Sequence, residues 1–324
     1  MVVTATIPVV VDALMAQGRG NLAVRLVDPD QGLLPAFEAG AHVDLHLGNG
    51  LVRQYSIASP SHEQDHYLLC IRKEAASRGG SAFVHERLRV GDPMRISAPR
   101  NLFSLGAAEH SVLVAGGIGI TPILSMAESL DSSAASFELH YYVRERREAA
   151  FARRLAAGFR HGQVQLHCSA EGDSSRLCLP SALAAPADSR RLYLCGPAGF
   201  MEHVASQAQA AGWNPDRIHQ EAFAPPAVVA SSAENQAFEV ELASSGQVFS
   251  IPPDRSIAAV LVDAGINVPL SCEMGICGSC LTRVLQGSVD HRDSVQSEQE
   301  KSASQQQITL CCSRSHSARL TLDL

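Results

Sequence analysis

Short apolar runs that alternate with polar residues dominate the first third of the chain. Gly, Pro, Asp and Asn separate these runs, as expected for strands joined by tight connections. The runs lie at 9–14, 22–27, 42–47, 52–58, 67–72 and 94–98. Evenly spaced short strands are typical of antiparallel barrels, so we predict a six-stranded antiparallel barrel over residues 1–106. One helix at 82–88 interrupts the strands, and Ser81 is its predicted N-cap.

Near residue 107 the pattern changes to strands that alternate with helices. The predicted strands are at 111–115, 137–143 and 192–195, and the predicted helices are at 123–130 and 199–210. Thr121 is the predicted N-cap of the first helix, and Pro122 is its predicted first residue. Alternation of this kind predicts an α/β domain with a parallel sheet, here over residues 107–228.

The last part of the chain shows a third pattern. Residues 224–236 are rich in Pro, Ala and Ser without periodicity, which is typical of an interdomain linker. A hairpin, a short helix, a cysteine-rich loop and a returning strand follow within 237–324. This order is consistent with a β-grasp domain. The whole chain is therefore predicted to be a multidomain α+β protein.

Composition narrows the class of protein. The chain has 324 residues, 46% of them hydrophobic and 18% charged, which suits two or three globular domains. A net charge of −7 gives no electrostatic support for nucleic-acid binding, although it suits docking on a basic protein. We expect no membrane span, because no run of eighteen apolar residues occurs, and no signal peptide. Nine cysteines without an export signal favour a reducing compartment, the cytoplasm.

The spacing of four cysteines carries the strongest chemical signal. Cys272, Cys277 and Cys280 form a C-x4-C-x2-C run that Cys311 completes, which is the plant-type [2Fe–2S] spacing. Structural zinc usually takes paired C-x2-C knuckles or Cys/His sets, and this chain has one C-x2-C. The side chains of Cys311 and Cys312 point to opposite faces if the segment is a strand. Only one of them can then be the ligand, and we favour Cys311.

Gly275 and Gly278 lie between the first three cysteines, where the backbone must turn sharply. Positive φ angles are expected there, with N–H groups directed at sulfur. The Asp-His-Arg-Asp segment at 290–293 is expected to be a surface turn and not a ligand set.

The Gly-rich turn before the first helix of the α/β part is a candidate phosphate site. Gly116, Gly117 and Gly119 precede a helix N-terminus, where backbone N–H groups and the helix dipole favour a pyrophosphate. The dinucleotide fingerprint is incomplete, because Pro122 replaces its third glycine and no acidic residue follows at the expected distance. A plain strand-to-helix turn is the alternative. Arg144 follows a strand, where it can contact a ribose or a 2′-phosphate.

A family resemblance now joins these segments. Together with 290–294, 311–315 and 320–324, the cysteine segment resembles the C-terminal ferredoxin domain of phthalate dioxygenase reductases, a pattern that vanillate demethylase reductases share. The residues Arg53, Tyr55 and Ser56 resemble the flavin motif of the ferredoxin reductase superfamily, although a solvated Arg and a half-buried Tyr are common in strands. The Gly-rich turn followed by Cys195, Gly196 and Pro197 is characteristic of the pyridine-nucleotide half of the same superfamily.

The resemblance implies roles for these residues. Arg53 pairs with the flavin phosphate, Tyr55 lies along the isoalloxazine ring, and the Ser56 hydroxyl approaches the flavin N5. The implied phosphate cradle is completed by Arg72, Lys73, Gly80 and Ser81. Cys195 and Gly196 lie beside the nicotinamide, and Phe223 lies near the flavin. Ser56, Cys195 and Phe223 are thus the implied catalytic residues.

The resemblance also implies the cofactors and the function. FMN is implied rather than FAD, and NADH is implied, while Arg146 and Arg147 leave NADPH open. The chain is then predicted to be a monomeric, NADH-dependent iron–sulfur flavoprotein with a flavin-binding barrel, a nucleotide-binding domain and a ferredoxin domain. It would serve as the reductase component of a two-component Rieske-type oxygenase. A reductase for a cytochrome P450 or another acceptor is the alternative, and a zinc-binding interaction module is an alternative of a different class.

Overall fold

A computed structural model describes residues 6–75, 77, 79–174, 178–223 and 235–324. The described residues divide into two compact units, 6–223 and 235–324. Residues 224–234 of the predicted linker lie outside the described residues, and the predicted domain bounds stay predictions. Among the described residues, none of the helices combines the length and the apolar character that a membrane crossing requires.

The first unit begins with the predicted antiparallel strands. They are β1 (Ile7–Ala16), β2 (Asn21–Val27), β3 (His42–His46), β4 (Val52–Ser56), β5 (Tyr67–Arg72) and β6 (Pro93–Ile96). They form a six-stranded sheet in the order β4-β3-β6-β1-β2-β5, in which every neighbouring pair is antiparallel. A bridge between Ile57 and Leu69 links the two edges of the sheet. The antiparallel, six-stranded prediction is confirmed.

Alternation along these strands places one set of side chains in the core. Val9 and Val11 of β1 are buried against Val43 and Leu45 of β3 in a single apolar cluster. The residues between them on β1 are more exposed, as the two-residue period of a strand requires, whereas the intervening His42 and Asp44 of β3 are buried as well. Helix α1 (Gly80–Glu86) contributes the buried Val84 to this cluster.

The second half of the first unit is the predicted parallel sheet. Its strands are β7 (His110–Gly116), β8 (Ser136–Val143), β9 (Gly162–Cys168), β10 (Arg190–Cys195) and β11 (Ile218–Glu221), and its helices are α2 (Ile120–Ser132), α3 (Ala152–Ala156) and α4 (Ala198–Ala210). All the pairs are parallel, in the order β11-β10-β7-β8-β9. The strand order reverses between β7 and β10. In open α/β sheets, ligands bind outside the carboxyl ends of the strands at such a switch point.

The two sheets of the first unit are joined by hydrogen bonds as well as apolar packing. The backbone N–H of Arg19 donates to the carbonyl of Arg147 over 2.6 Å. The Asn21 amide donates to the carbonyl of Glu148 over 2.9 Å, and the Phe151 N–H donates to the Gln17 side chain over 3.2 Å. Residues 6–223 therefore form one body that holds both sheets.

Two helices begin earlier than the sequence predicted. Helix α2 starts at Ile120 after a 3-10 turn, so Thr121 is its second residue and donates to the carbonyl of Ile118 over 3.1 Å. Helix α1 starts at Gly80 after Gly79, whose φ is 89°. The N-cap predictions for Ser81 and Thr121 are therefore wrong. The preceding glycines allow the chain to enter the helix before the first residue that has a capping side chain.

The second unit is built on a mixed sheet. Its strands are β12 (Phe238–Leu242), β13 (Val248–Ile251), β14 (Leu281–Gln286), β15 (Val289–Asp290), β16 (Gln307–Thr309), β17 (Arg314–Ser315) and β18 (Arg319–Leu322), and its helices are α5 (Ile257–Asp263) and α6 (Glu298–Lys301). The main sheet has the order β13-β12-β18-β14-β16, with β12 and β18 parallel and the other pairs antiparallel. Ser256 caps α5 by accepting the Ala259 N–H over 3.1 Å. The ferredoxin-type prediction is confirmed.

Close backbone contact at the switch point yields a first prediction, for Gly119→Ala. A Cβ at Gly119 would lie 2.2 Å from the carbonyl oxygen of Cys195, inside van der Waals contact. We expect the substitution to destabilise the first unit by about 1–3 kcal/mol, the usual effect of overpacking. Urea unfolding followed by the fluorescence of Trp213, the chain's single tryptophan, measures this. Gly199→Ala in α4 is the control, because no atom lies within 4 Å of its added Cβ. Equal stability of the two variants would contradict the close contact.

Candidate functional site

Glycines bring the carboxyl ends of β7 and β10 into direct contact. A Cβ at Gly196 would lie 3.0 Å from the Cα of Gly116. Cβ atoms at Gly116 and Gly196 would each lie 2.9 Å from the ring of Phe200. The structure thus brings together the predicted residues Gly116, Gly119, Cys195 and Gly196. They form a surface in which backbone atoms are not covered by glycine side chains, called the glycine cradle below. Such a surface allows a pyrophosphate to approach the N–H groups closely, so the residues fit a dinucleotide.

Arg72 reaches this cradle from the antiparallel sheet. Its Nη1 lies 3.3 Å from the Cβ position of Gly117, which has a φ of +55°. The family resemblance implied that Arg72 binds the flavin phosphate. In the structure its guanidinium lies beside the Gly-rich turn. Lys73, from the same predicted group, is exposed and pairs with Glu86 over 2.9 Å.

Arg53 lies across the start of α1. A Cβ at Gly80 would lie 2.7 Å from the Arg53 Cγ and 3.0 Å from its Nε. Ser81 also lies at this helix start, where its hydroxyl accepts the Glu74 N–H over 3.2 Å. Tyr55 is half-buried on the same strand as Arg53, and burial raises its pKa to about 12, so its hydroxyl stays protonated. Arg53, Gly80 and Ser81 therefore lie together as predicted.

Ser56, at the end of β4, contacts a carboxyl group from the parallel sheet. Its hydroxyl donates to Glu221 Oε2 over 3.4 Å. Glu221 ends β11 and is paired with Cys195 in the parallel register. Burial raises the pKa of Glu221 to about 8, although its side chain keeps 14% exposure, so the carboxyl is mostly protonated at neutral pH. Burial, and then the Glu221 charge, raise the pKa of the Cys195 thiol well above its ordinary value.

A histidine extends this buried group. His42 pairs with Ser56 across β3 and β4, and its Nδ1 lies 4.0 Å from Glu221 Oε1. Burial, followed by the charge of Arg100, lowers the His42 pKa to about 4. With a neutral imidazole and a protonated carboxyl the contact is not an ion pair at neutral pH. Both His42 ring nitrogens are buried without a hydrogen-bond partner among the described residues.

Sequence reasoning missed both His42 and Glu221. Glu221 stands two residues before the predicted Phe223, but its contact with Ser56 joins strands 165 residues apart in the sequence. Phe223 itself is half-buried against the apolar cluster that includes Cys195.

The arginines after β8 are placed at its carboxyl end. Arg144 is exposed there, as predicted. Arg146 donates from Nε to both carboxylate oxygens of Glu171 over 2.9 Å, and Arg147 donates to Glu145 over 2.5 Å. Two of the three arginines that were open to a 2′-phosphate are therefore already paired with carboxylates.

Three of the four predicted cluster ligands are buried in one loop. Cys272, Cys277 and Cys280 are each at most 4% exposed, and Cys311 is half-buried. Gly275 and Gly278 have φ angles of +74° and +68°, as predicted for this loop. The Met274 N–H donates to the Cys272 sulfur over 3.3 Å.

The thiols of the loop form two pairs in hydrogen-bonding contact. Cys272 contacts Cys277, and Cys280 contacts Cys311. The Cys272 contact, ahead of the other contributions, lowers the pKa of the Cys277 thiol, which favours the thiolate that iron binds. Four thiols in two pairs are the donor set that a [2Fe–2S] cluster requires, with two thiolates for each iron. The residues present therefore fit the cluster.

Cys311 and Cys312 lie in a turn that follows β16, which ends at Thr309. The expectation of opposite strand faces is therefore wrong, and the two thiols contact each other. Cys312 differs in its surroundings, because its sulfur lies 3.2 Å from the Thr309 hydroxyl and 2.4 Å from the Cβ position of Gly275. The Cys280 contact favours Cys311 as the ligand.

The segment after β15 is not the simple surface turn that was expected. Its Asp293 carboxylate is fully buried, and the side chain of His291 is 10% exposed. The next two residues, Ser294 and Val295, donate their N–H groups to the Gly275 carbonyl over 3.0 and 3.2 Å. The segment is therefore hydrogen-bonded to the backbone of the cysteine loop.

Comparisons with known proteins agree with this geometry. Residues 240–315 match the family model of the 2Fe-2S iron-sulfur cluster binding domain. The vanillate O-demethylase oxidoreductase of Pseudomonas sp. strain HR199 is 47% identical over 98% of this chain and 100% of its own length. The solved structure of phthalate dioxygenase reductase is 36% identical, covers 99% of this chain and 98% of its own, and has a TM-score of 0.73. An intact type IV self-sufficient cytochrome P450 monooxygenase is 34% identical over 98% of this chain and 41% of its own, with a TM-score of 0.86.

The fold and the cysteine loop define an iron–sulfur oxidoreductase of the class that serves oxygenase systems. The chain belongs to the phthalate dioxygenase reductase family, together with the vanillate O-demethylase oxidoreductases. The predicted cofactors, FMN, NADH and a [2Fe–2S] cluster, are those of this family. The role of each individual residue stays a prediction.

The thiol contacts yield a prediction for the two adjacent cysteines. Cys311→Ser should abolish the visible absorption and electron paramagnetic resonance of the cluster, because a thiolate is removed from the Cys280 pair. Cys312→Ser should keep both signals at near wild-type iron content. Iron content and spectra of the two purified variants measure this. The reverse outcome would exchange the two assignments.

The buried carboxyl yields a prediction of pH dependence. The folded-state pKa of Glu221 is raised to about 8 from 4.5, so the folded protein holds a proton that the unfolded chain releases between these pH values. Glu221 should therefore contribute a decrease in the free energy of unfolding as the pH rises from about 4.5 to about 8, by at most roughly 1.4 kcal/mol per pH unit.

Glu221→Gln should remove this contribution, because glutamine does not titrate. Urea unfolding at several pH values, followed by Trp213 fluorescence, measures the slope. Glu109→Gln at an exposed position is the control and should keep it. An unchanged slope in Glu221→Gln would contradict the buried, protonated carboxyl.

Proposed function

We propose that the chain is the reductase component of a two-component Rieske-type oxygenase. Electrons would pass from NADH through FMN to the [2Fe–2S] cluster, and then singly to the oxygenase. One observation carries this proposal: Ser56, from the flavin motif, contacts Glu221, which is paired with Cys195 from the nucleotide motif. Hydride transfer requires its two partners to touch, and this contact supports one shared site for them.

The positions of several residues support a role for each in this proposal. We propose that Arg53, Gly80 and Ser81 bind the flavin phosphate, since a guanidinium fork and helix N–H groups match its oxygens. Tyr55 would pack along the isoalloxazine with its aromatic face. Bound FMN supplies the conversion of a two-electron hydride donor into single electrons. Ser56 would hold the hydrogen bond to the reacting edge, with Phe223 packed nearby.

The nucleotide would bind along the glycine cradle. Gly116, Gly117 and Gly119 would hold its pyrophosphate at the start of α2, where Thr121 and Pro122 form the first turn. Cys195, Gly196 and Pro197 would line the nicotinamide. The Cys195 thiol is buried and protonated, so it would act through contact and not as a nucleophile.

The arginine pairs support NADH over NADPH. Arg146 is held by Glu171 and Arg147 by Glu145, so neither guanidinium is available without breaking an ion pair. Glu171 adds a carboxylate beside the end of β9, which disfavours a 2′-phosphate and can accept a ribose hydroxyl. Arg144 is left to contact the ribose.

The cluster ligands we propose are Cys272, Cys277, Cys280 and Cys311. A plant-type cluster takes one electron at a time, which suits delivery to a separate oxygenase. We also propose that the protein acts as a monomer in the cytoplasm, in keeping with its free cysteines.

A cytochrome P450 is the second candidate for the electron acceptor. The likeness to a self-sufficient P450 monooxygenase, over 41% of that longer chain, favours it. The 47% identity to a vanillate O-demethylase oxidoreductase over its full length favours the oxygenase of a demethylase system, and we give it precedence.

Reconstitution with candidate acceptors tests the proposal. Purified protein should contain flavin and iron in a ratio of about one to two. Mixed with NADH and a Rieske oxygenase component, it should support substrate turnover at least tenfold faster than it does with a P450. Cys311→Ser should still allow NADH to bleach the flavin but should not support turnover.

Each failure has a separate meaning. Zinc in place of iron, or no flavin, contradicts the reductase assignment and favours a zinc-binding module. Faster turnover with the P450 contradicts only the choice of acceptor.

A further inference from the structure

A short loop of residues 169–173 follows β9 at the carboxyl edge of the parallel sheet. It contains Glu171, whose carboxylate lies beside the ribose in the proposed function. The backbone attaches the loop to the end of β8, because the Ala170 N–H donates to the Arg144 carbonyl over 2.9 Å. The side-chain contacts of the loop then decide how firmly the Glu171 carboxylate is positioned.

Asp173, at the end of this loop, is hydrogen-bonded to a buried histidine of β9. Both of its carboxylate oxygens lie 2.9 Å from His167 Nδ1. The His167 side chain is 3% exposed, whereas that of Asp173 is 34% exposed. The hydrogen bond from His167, ahead of the other contributions, lowers the pKa of Asp173, so its carboxylate is ionised at neutral pH. Since an ionised carboxylate can only accept, His167 Nδ1 has the hydrogen and donates it.

Two residues of β8 fix the His167 ring on its other sides. Burial, ahead of the other contributions, lowers the pKa of His167, so its ring is neutral at neutral pH and its Nε2 is an acceptor. This Nε2 lies 3.0 Å from Nδ1 of the buried His140. The Tyr142 ring stacks on the His167 ring, with centroids 4.2 Å and planes 7° apart. The orientation of the His167 ring is therefore set by the sheet and not by the loop.

Tyr142 also connects this histidine with the glycine cradle. The centroid of its ring lies 5.5 Å from that of Phe200. The Phe200 ring in turn lies 2.9 Å from the Cβ positions of Gly116 and Gly196. His167 therefore lies between two parts of the proposed nucleotide site, the glycine cradle and the loop after β9.

The bond to His167 is the stronger of two side-chain attachments of the loop. Glu171 pairs with Arg146, but their side chains are 48% and 62% exposed, and ion pairs so exposed to water stabilise a structure little. The hydrogen bond between His167 and Asp173 joins an ionised acceptor to a buried donor, which makes it stronger. Loss of this bond should therefore loosen the loop even though the Arg146 pair remains.

From this geometry we propose that His167 is a positioning residue for nucleotide specificity. Its hydrogen bond to Asp173 holds the loop 169–173 against the sheet and keeps the Glu171 carboxylate at the proposed ribose position. There the carboxylate accepts a ribose hydroxyl and repels a 2′-phosphate, so NADH is preferred to NADPH. The inference rests on the nucleotide position and the NADH preference given under the proposed function.

His167→Phe in the complete, cofactor-loaded protein tests the inference. Phenylalanine keeps a flat ring against Tyr142 but cannot donate to Asp173, so the loop should loosen while the glycine cradle is unchanged. With ferricyanide as the electron acceptor, the ratio of kcat/KM for NADH to that for NADPH should fall about tenfold, the size of effect expected for one hydrogen bond to a charged group. The kcat with NADH should change little. An unchanged ratio would contradict the role of His167.

His167→Asn is the conservative variant. Its side-chain amide can place an N–H near the position of Nδ1 and donate to Asp173, so the ratio should stay close to that of the wild type. A fall as large as that in His167→Phe would mean that the ring, and not the hydrogen bond, matters, and the inference would be wrong.

His161→Phe is the matched control at the opposite end of the same strand. His161 immediately precedes β9, and its Nδ1 lies 3.0 Å from the carbonyl oxygen of Asp131. The same ring nitrogens are thus removed from the amino edge of the sheet, away from the loop. We expect no change in the ratio, and a fall equal to that in His167→Phe would contradict a local role for His167.

Asp173→Ala tests the same bond from a position that is partly exposed and therefore tolerant of substitution. The ratio should fall as in His167→Phe, and the double variant should show no further fall. Additive effects would mean that the Asp173 charge acts on the nucleotide by itself, and they would overturn the inference. Cys178 also contacts Asp173, so Cys178→Ala should leave the ratio unchanged. A fall in Cys178→Ala as large as that in Asp173→Ala would likewise overturn it.

Hydrogen exchange in nucleotide-free protein gives a measurement that does not depend on activity. The N–H groups of Ala170 and Asp173 are hydrogen-bonded to the carbonyls of Arg144 and Cys168. Mass spectrometry of peptides that cover the loop should show faster exchange in His167→Phe and Asp173→Ala, but not in His167→Asn. Unchanged exchange in His167→Phe would show that the bond does not hold the loop.

Failure of the inference and failure of the proposed function are distinguishable. Wild-type protein that does not oxidise NADH, or that prefers NADPH, contradicts the proposed function before any variant is made. Wild-type protein that prefers NADH, with the same preference in His167→Phe, contradicts only the role of His167.

Discussion

Contact between bare backbone segments at the carboxyl ends of β7 and β10 is the constraint on which the first unit depends. The turn before α2 and the turn after β10 approach so closely that a methyl group at Gly119 would lie 2.2 Å from the Cys195 carbonyl oxygen. Pairing of β10 with β11 places Cys195 beside Glu221, and Glu221 in turn reaches Ser56 of the other sheet. In open α/β sheets a reversal of strand order marks the crevice where ligands bind, and the glycines here allow its two backbone segments to touch.

Burial sets the protonation states within that crevice. Cys195, Glu221 and His42 are all neutral at neutral pH, because each would lose hydration if it were charged. If the proposed cofactors bind there, Arg53 and Arg72 at the edges of the crevice would balance their negative charges. The cysteine loop differs, since there the contact between Cys272 and Cys277 favours a thiolate.

Local patterns were enough to predict much of this protein. Strand alternation, the Gly-rich turn and the spacing of Cys272 to Cys311 are short-range signals; they predicted the sheets, and they underlie the proposals for nucleotide and cluster binding. Helix starts were missed because Gly79 and Gly119 need no capping side chain. The burial of the Glu221 and Asp293 carboxyl groups was missed, because it depends on segments distant in the sequence.

The hydrogen bonds from Arg19, Asn21 and Phe151 across the two sheets of the first unit bear on how such proteins can be recombined. Ser56 lies on the antiparallel sheet and Glu221 on the parallel sheet. Neither sheet alone therefore contains all the residues of the crevice. An exchange that cut the chain between β6 and β7 would separate Ser56 from Glu221 and so divide the proposed site between two proteins. Chimaeric enzymes should therefore inherit residues 6–223 as an indivisible block.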